Sequence, residues 1–427
     1  MPLSSMLLVK QNFPHRAVVD IPGTVTKELG DAGFGSGLAP GATVAIGVGS
    51  RGISNIATIV KAVVAYWKSK GMNPFIFPAM GSHGAATAEG QADVLAHYGI
   101  IEETMGCQVR SSLDVISLGK TPEGIEAFLD KHASGADGIM LVGRVKQHTD
   151  FAGKIESGLF KMMAIGLGKW SGAKNYHTHA YRLGMEHVIR SVGKQVLSSG
   201  KILGGMAILE DAYHDTAKLT AVPVGRMLEM EESLLETCKA WAPALPCDLD
   251  IIMINEIGKQ ISGAGMDTKV VNRGTAGEYN PWPNTPKFER IYLRDLSSVS
   301  YGNGVGLGLA DVVNDRLLAK LDTHPTWINA LTASTPAAAK TPIHWATDRE
   351  CLERLALTVG KHDIADVRLG WIHNTLELGT IALSSNMRAE IKANPLLEIL
   401  EEAHELPFDA EGNLPFDVFV KETVAAH

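Results

Sequence analysis

The chain has 427 residues, of which 45% are hydrophobic, and a formal net charge of −8. This length and hydrophobic content suffice for a large core and indicate two domains. The negative charge does not favour nucleic acid or an anionic membrane surface as a partner, and no apolar run approaches the length of a membrane span. The four cysteines are scattered without a CxxC pair, and the N-terminus lacks the apolar core of a signal peptide, so we expect a cytoplasmic protein.

Strands and helices alternate through the first half of the chain. Apolar runs predict strands at 43–48, 73–80, 137–145, 201–211 and 218–224, and helical spacing of apolar residues predicts helices at 56–70, 88–97, 181–199 and 227–241. This alternation indicates an N-terminal α/β domain with a mostly parallel sheet flanked by helices on both faces.

Two prolines in the segment PALPCDLD interrupt this pattern and predict a domain joint. We therefore expect an N-terminal domain at 1–245 and a smaller C-terminal α/β domain at 246–427, with the active site in the cleft between them. The second half predicts strands at 251–257, 290–296, 366–372 and 379–384, a glycine-rich segment leading into a helix at 302–321, and helices at 348–359 and 396–404.

Titratable side chains are concentrated between the strand near residue 140 and residue 181. The apolar run Ile139–Val142 predicts a buried strand that opens into a polar turn with His148. Lys161 follows in the apolar run LFKMMAIGLG, which indicates a partly buried amine, whereas Lys154 lies in a polar turn and reads as a solvated lysine. Because ligands of α/β proteins bind at the carboxyl ends of strands, we expect a site here.

His177 and His179 form an HxH pair in the segment AKNYHTHAY. On a strand the two imidazoles would face the same way and could share a metal ion. On a helix they diverge by about 200°, given about 3.6 residues per turn, so only one could bind. The segment reads as a helix start, so we expect one metal ligand, and a solvated surface histidine is the alternative for the other.

The motif GVGSRG at 47–52 matches GxGxxG between a predicted strand and a predicted helix, which is the context of a dinucleotide-binding turn. The next strand ends without the Asp or Glu that would hold a ribose hydroxyl, and a tight turn is an equally good interpretation. A third interpretation keeps ligand binding. Arg51 could clamp a carboxylate, and Ser54 or Asn55 at the helix start could contact a phosphate.

Two more candidates lie at predicted strand ends. His83, in MGSHG, is flanked by glycines and could act as a general base near neutral pH, or it could simply make turn hydrogen bonds. Lys259, in NEIGKQISGAGMD of the second half, could close over a carboxylate substrate, or it could belong to an ordinary loop ion pair of little energetic weight.

Together these motifs resemble those of the nickel-dependent lactate racemase family, whose members are 2-hydroxyacid racemases and epimerases. The family presents an arginine after its first strand, matched by GSRG, and a G-[ST]-H loop, matched by GSH at 81–83. It then has a second histidine followed by A-G, S-G and a lysine, which are matched by His148, Ala152-Gly153, Ser157-Gly158 and Lys161. The resemblance covers most of the chain and is densest between 47 and 181.

The chain departs from the family pattern at three places. Val48 stands where an acidic residue is usual, glycine replaces proline after Arg51 and after His83, and the interval from His148 to Lys161 is longer, with Lys154-Ile155-Glu156 as extra material. These departures indicate a divergent member that acts on a hydroxyacid other than lactate.

The resemblance implies inversion of C2 of a 2-hydroxyacid by hydride transfer. His83 and His148 would be the two catalytic bases, one for each hand of the substrate. Arg51 and Lys259 would hold the substrate carboxylate. The implied partners are the small-molecule hydroxyacid and, transiently, the enzymes that assemble the cofactor.

The resemblance also implies the cofactor, a nickel pincer nucleotide (pyridinium-3-thioamide-5-thiocarboxylic acid mononucleotide). Lys161 would be covalently joined to it, and His177, or else His179, would complete the coordination of nickel. The remaining cofactor contacts are expected from Ser54, Asn55, Ser157 and Gly158.

Two other functions remain open from the sequence. The first is an NAD(P)-dependent dehydrogenase that uses the GVGSRG turn, against which the missing acidic residue counts. The second is a non-catalytic hydroxyacid- or nucleotide-binding protein on the same scaffold. His83 and His148 count against that function, because carboxylate binding needs neither.

Overall fold

The structure is a computed structural model that describes residues 3–49, 52–81 and 83–418. Within those residues the chain forms fifteen β-strands and fourteen α-helices. The strands are β1 (Met6–Gln11), β2 (Thr43–Val48), β3 (Asn73–Pro78), β4 (Val115–Lys120), β5 (Glu126–Asp130), β6 (Gly138–Arg144), β7 (Ile202–Glu210), β8 (Thr216–Pro223), β9 (Leu249–Ile257), β10 (Phe288–Leu296), β11 (Val312–Asn314), β12 (Ile343–Trp345), β13 (Leu369–Ile372), β14 (Thr380–Ser384) and β15 (Leu397–His404).

The helices are α1 (Ile21–Asp31), α2 (Ile56–Ser69), α3 (Ala88–His97), α4 (Glu102–Met105), α5 (Lys131–Ser134), α6 (Leu159–Lys161), α7 (Lys169–Leu183), α8 (Met185–Leu197), α9 (Met227–Trp241), α10 (Thr268–Val271), α11 (Asp315–Lys320), α12 (Thr323–Thr332), α13 (Asp348–Ala356) and α14 (Arg388–Ala393). A π-helical turn, Met162–Gly166, follows α6 directly. In the part of the chain that the structure describes, none of these helices combines the length and apolarity that a membrane crossing requires.

The chain divides into two compact units. The first comprises Pro14–Ala242, and the second joins the N-terminal segment up to Phe13 to the chain from Pro243 onward. The sequence predicts the boundary at 245/246 and leaves β1 unassigned. β1 pairs antiparallel with β14 and β15 in the second unit, so its partners lie at the far end of the chain and leave no local signal.

The first unit is built on a five-stranded sheet of order β3-β2-β6-β7-β8, in which only β8 is antiparallel to its neighbour. β2 and β6 are buried along nearly their whole length, as expected for parallel strands covered on both faces. Ile46 and Met140 pack with α2 on one face, while Ala45 and Leu141 pack with α8 on the other. The predicted N-terminal α/β architecture is confirmed.

Helix α2 illustrates how the sequence specifies the layer on one face of this sheet. Its buried residues Ile56, Ile59, Val60 and Val63 recur at helical spacing and form one apolar stripe. The helix ends just before Gly71, which has a φ of +75° that glycine adopts without strain.

The second unit is built on an eight-stranded sheet of order β12-β11-β10-β9-β13-β14-β1-β15, and the predicted α/β class is confirmed there as well. β9 to β13 form a parallel part, whereas β14, β1 and β15 are antiparallel. The predicted helix at 396–404 is wrong, because this segment is the edge strand β15. Its alternate residues Leu397 and Ile399 pair with β1 and pack on the core, and this tertiary pairing overrides strong local helix propensity.

Candidate active site

The candidate site of the first unit lies at the carboxyl ends of β2, β3 and β6. In chain order β3 follows β2 and adds on one side of it, and β6 later adds on the other side. The side of β2 on which strands are added therefore reverses between β3 and β6, although all three strands are parallel. In open α/β sheets ligands bind beyond the carboxyl ends at such a switch point. The predicted residues His83 and His148 follow β3 and β6, respectively.

The loop after β6 is closed at its base by a pair of backbone hydrogen bonds. The Lys146 N–H donates to the Ser157 carbonyl over 2.9 Å, and the Ser157 N–H donates back over 3.0 Å. Ser157 thereby fixes both ends of a ten-residue excursion that carries His148. The backbone of Ser157 thus closes the loop. The predicted contact of Ser157 with the cofactor stays a prediction.

Glu156, which is not among the residues predicted from the sequence, organises the interior of that loop. Its fully buried carboxylate accepts hydrogen bonds from the N–H groups of His148 (2.7 Å) and Gly153 (3.2 Å), and it pairs with Lys239 on α9 at 3.3 Å. The extra residues 154–156, a departure from the family pattern, thus supply the buried anchor of the loop. The acidic residue directly after Ile155 in an otherwise polar turn was the signal available in the sequence.

His148 is partly buried and packs against the ring of Phe151, with ring centroids 4.5 Å apart. Its Nδ1 accepts a hydrogen bond from the Asp150 N–H over 3.1 Å, and the Asp150 carboxylate lies 3.9 Å from the same nitrogen. Because Nδ1 acts as an acceptor here, a neutral His148 carries its proton on Nε2. In this arrangement the neutral imidazole can donate a hydrogen bond from Nε2.

Lys161 ends α6, whose N-terminus is held by a buried carboxylate on α9. The Phe160 N–H donates to Glu231 Oε2 over 3.0 Å, so Glu231 satisfies a helix N–H that has no helical partner. Burial raises the pKa of Glu231 to about 7, and the hydrogen bonds from Phe160 and Leu159 act in the opposite direction.

Gly158 lies where this carboxylate approaches the backbone. A Cβ placed on Gly158 would lie 2.4 Å from Glu231 Oε1, closer than real Cβ contacts. The structure therefore explains Gly158 by close packing, and its predicted contact with the cofactor stays a prediction.

The π-helical turn places Lys161 beside the ends of the strands. Met162 contacts the backbone of β6 so closely that a Cβ on Gly143 would lie 2.1 Å from its sulfur, and its methyl group lies 3.4 Å from the corresponding position on Gly49, just after β2. π-helical turns inside helices are frequently found at functional sites. The turn brings the lysine predicted to carry the cofactor to the switch point between β2 and β6.

Desolvation lowers the pKa of the Lys161 amine to about 8, and the Asp150 carboxylate partly opposes this effect. The same two residues act on His177 of α7. Desolvation lowers the pKa of the His177 imidazole, the charge of Lys161 lowers it further, and Asp150 raises it. Lys161, His177 and Asp150 therefore form one electrostatic cluster, with Asp150 sequence-adjacent to the His148 turn.

The HxH pair lies within α7, so its two imidazoles diverge as expected for a helix. His177 belongs to the cluster with Lys161, and His179 lies two residues further along the helix. Across the described residues, no three His, Cys, Asp or Glu side chains are grouped so that they could hold a metal ion by themselves. A metal ion bound through one of these histidines would need further donor atoms from another source, and the assignment of either as a ligand stays a prediction.

His83 begins the short 3-10 turn Gly84–Ala86 after β3. Its loop is held by Gln91 of α3, a fully buried side chain that donates to the carbonyls of Gly81 (2.8 Å) and His83 (3.3 Å). The same loop packs on the π-helical turn, because a Cβ on Gly81 would lie 2.7 Å from Ile165. The loops of His83 and Lys161 are thereby in direct contact.

The loop after β2 is held by an ion pair. Arg144 and Glu210 pair closely, Arg144 donates to the Gly52 carbonyl over 2.8 Å, and Glu210 accepts from the Ser54 N–H over 2.9 Å. Arg51, predicted to bind the substrate, lies outside the described residues.

Ser54 and Asn55 lie just before α2, as predicted, and both are used within the protein. Asn55 Nδ2 donates to the hydroxyl groups of Ser54 and Thr216, each over 3.2 Å. The carboxylate of Glu210 at the Ser54 N–H competes with a phosphate for this helix start. Their predicted contacts with the cofactor stay predictions.

The GVGSRG turn lacks one feature of a dinucleotide-binding turn. The third glycine of that motif permits close packing of helix on strand. A Cβ on Gly52 would meet no atom within 4 Å, and α2 begins four residues later. This geometry counts against the dehydrogenase interpretation.

Lys259 belongs to the second unit, where it follows β9. Its ammonium group donates to the Gly263 carbonyl and, over 2.8 Å, to Asn329 Oδ1 on α12. Its role toward a substrate carboxylate stays a prediction.

Comparisons with known proteins bear on the fold. It is similar to that of a protein from Thermotoga maritima, with a TM-score of 0.50 and 12% sequence identity over 82% of this chain and 95% of that chain. The lactate racemase apoprotein from Thermoanaerobacterium thermosaccharolyticum has a TM-score of 0.49 and 14% identity over 81% of this chain and 86% of that chain. No protein-family model and no curated protein matches the chain. At 12% identity, the likeness to the Thermotoga maritima protein shows the fold alone.

Proposed function

We propose that the chain is an isomerase that inverts C2 of a 2-hydroxyacid, a racemase or epimerase, and that it uses a nickel pincer nucleotide held by Lys161 and His177. The observation that carries this proposal is the pairing of an amine and an imidazole at the switch point, both with a lowered pKa. A solvated lysine would need no such environment. The sequence motifs around His83, His148 and Lys161 support the same function.

The side chains present fit this cofactor. Covalent attachment through a thioamide requires a neutral amine, and desolvation makes the neutral form of Lys161 accessible near pH 8. A metal ligand must be a neutral imidazole, which the lowered pKa of His177 favours. Nickel bound by a single protein histidine would take its other donors from the cofactor.

When bound, the cofactor supplies a centre that accepts hydride from C2 and returns it. The residues of the chain manage the proton of the substrate hydroxyl. Loss of hydride from C2 is easier when that proton leaves at the same time, and His83 and His148 are the bases, one for each hand of the substrate. The carbon becomes planar, as a 2-keto acid, between the two imidazoles. Inversion would follow when hydride returns to the opposite face of C2 and the other histidine gives a proton to the oxygen.

His148 has a defined starting state in this scheme. As an imidazolium ion it carries a proton on each ring nitrogen and can give the Nε2 proton to the carbonyl oxygen of the keto acid. The neutral form with its proton on Nε2 can only donate a hydrogen bond from that nitrogen. To act as a base at Nε2 it must instead carry the proton on Nδ1, facing the Asp150 carboxylate that now lies 3.9 Å away. We therefore assign Asp150 the task of stabilising that alternative form.

The function is tested with protein produced together with the cofactor-assembly enzymes. Metal analysis should find nickel, and a screen of enantiopure 2-hydroxyacids by chiral chromatography should find interconversion of one of them. His83→Ala and His148→Ala should each abolish interconversion while leaving the circular dichroism spectrum unchanged.

His187→Ala is the matched control, because His187 is an exposed histidine on α8 that pairs with Glu123. It should keep wild-type activity. Wild-type rates in His83→Ala or His148→Ala would refute the two-base scheme. If metal analysis finds no nickel and the protein quenches NADH fluorescence, the dehydrogenase function would be favoured instead.

A further inference from the structure

Lys169 is a buried cation for which neither the sequence motifs nor the proposed chemistry accounts. Its side chain is 0% exposed, and it opens α7, eight residues after Lys161. Its φ of +53° lies in the left-handed region, which costs a non-glycine residue about 1 kcal/mol or more. A lysine persists in such a place only when its side chain makes compensating contacts.

Three acceptors surround the ammonium group of Lys169. The carboxylate of Asp130, at the end of β5, is also fully buried and forms an ion pair with it at 3.1 Å. The ammonium group donates hydrogen bonds to Gln91 Oε1 over 3.2 Å and to the carbonyl of Pro78 at the end of β3. Desolvation lowers the pKa of Lys169, and the charge of Asp130 opposes this effect.

This arrangement fixes which way the amide of Gln91 faces. Lys169 can only donate, so it selects the amide oxygen of Gln91 and leaves both N–H bonds pointing away from itself. Those two bonds reach the carbonyls of Gly81 and His83, on either side of position 82. A chain of contacts therefore runs from the buried ion pair through Gln91 to the loop that carries His83.

We infer that Lys169, neutralised by Asp130 and acting through Gln91, is a positioning residue that holds the His83 loop in place for proton transfer. The catalytic part of this inference rests on the proposed function. A buried ion pair adds little net stability compared with apolar residues of similar size. Here the ion pair sets the orientation of the Gln91 amide, which an apolar pair could not do.

The test replaces the pair together, so that no unpaired charge stays buried. In Lys169→Met/Asp130→Asn the asparagine can still accept the hydrogen bond that Asp130 receives from the Ala133 N–H over 2.9 Å. Gln91→Glu is the second variant. It keeps an acceptor for Lys169 but removes the donors to Gly81 and His83, so it should reproduce the effect with the ion pair intact.

The first readout uses the protein without cofactor. In both variants, peptides covering 79–87 should exchange amide hydrogen at least about 10-fold faster, and diethyl pyrocarbonate should modify His83 faster while its rate at His148 stays unchanged. Val196→Ala, which creates a cavity in the core of α8, is the control for general destabilisation and should leave the His83 loop unchanged. Wild-type exchange in the loop of both variants, or equal loosening in Val196→Ala, would overturn the inference.

The second readout is the turnover of loaded enzyme. Displacement of a catalytic group should lower kcat about 10- to 100-fold and leave KM within about two-fold. Loosened loops with unchanged kcat would overturn the catalytic part of the inference. A wild-type protein without isomerase activity would refute the proposed function instead, and the hydrogen-exchange result would still decide whether Lys169 positions the loop.

Discussion

The lowered pKa of Lys161 can be measured directly, without cofactor or substrate. Lowering the pKa from 10.5 to about 8 raises the neutral fraction of an amine at pH 7 by a factor of about 300. The neutral form is the one that reacts with an acylating reagent. Acetylation rates measured from pH 6 to 11 and resolved by peptide mass spectrometry should therefore give a midpoint near pH 8 for Lys161. The midpoint reports the pKa even where packing slows the reaction.

Substitution of Asp150 should change the pKa of Lys161 in a known direction. The Asp150 carboxylate raises the pKa of Lys161, so Asp150→Asn should move the midpoint below that of the wild type. The backbone hydrogen bond from residue 150 to His148 does not involve the substituted side chain. Asp114→Asn is the matched control, because Asp114 is exposed and pairs with Lys131, and it should leave the midpoint unchanged. A wild-type midpoint above about pH 10, or an upward shift in Asp150→Asn, would refute the electrostatic reasoning.

Two further predictions concern stability and the fate of the substrate hydrogen. Burial raises the pKa of Glu231 from 4.5 to about 7, so the native state keeps a proton that the unfolded chain releases. The free energy of unfolding should therefore fall by about 3 kcal/mol as the pH rises from about 4.5 to about 7. In Glu231→Gln, urea unfolding should show a fall over this pH range that is smaller by that amount. A fall equal to that of the wild type would contradict this assignment. If hydride moves without exchange, substrate deuterated at C2 should give inverted product that keeps most of its label by mass spectrometry, and extensive washout into water would indicate a carbanion instead.

Much of the fold could be predicted because its signals are local. The buried strands β2, β3 and β6 are continuous apolar runs, and α2 and α9 show clear helical spacing. β1 and β15 were not predicted because they are specified by pairing with each other, although they lie near opposite ends of the sequence. The segment of β15 contains good helix formers, so local propensity indicated the wrong structure there.

The site shows the same division between local and distant signals. Lys161 was recognisable from its apolar surroundings, and the helical HxH spacing indicated that His177 and His179 diverge. Lys169 was not recognisable as a buried lysine, because its ammonium group contacts Asp130, Gln91 and Pro78. These residues are distant from it in sequence and meet it only in the folded chain. A lysine among glycines at a helix start otherwise reads as solvated.

The most direct test of the proposed function is peptide mass spectrometry of protein produced together with the cofactor-assembly enzymes. We predict a covalent adduct with the mass of the pincer nucleotide on the peptide that contains Lys161. Lys161→Ala should lose the adduct and bound nickel together, whereas His177→Ala should keep the adduct and lose mainly nickel. An adduct on Lys154, or isomerase activity with no adduct on any lysine, would contradict the proposal.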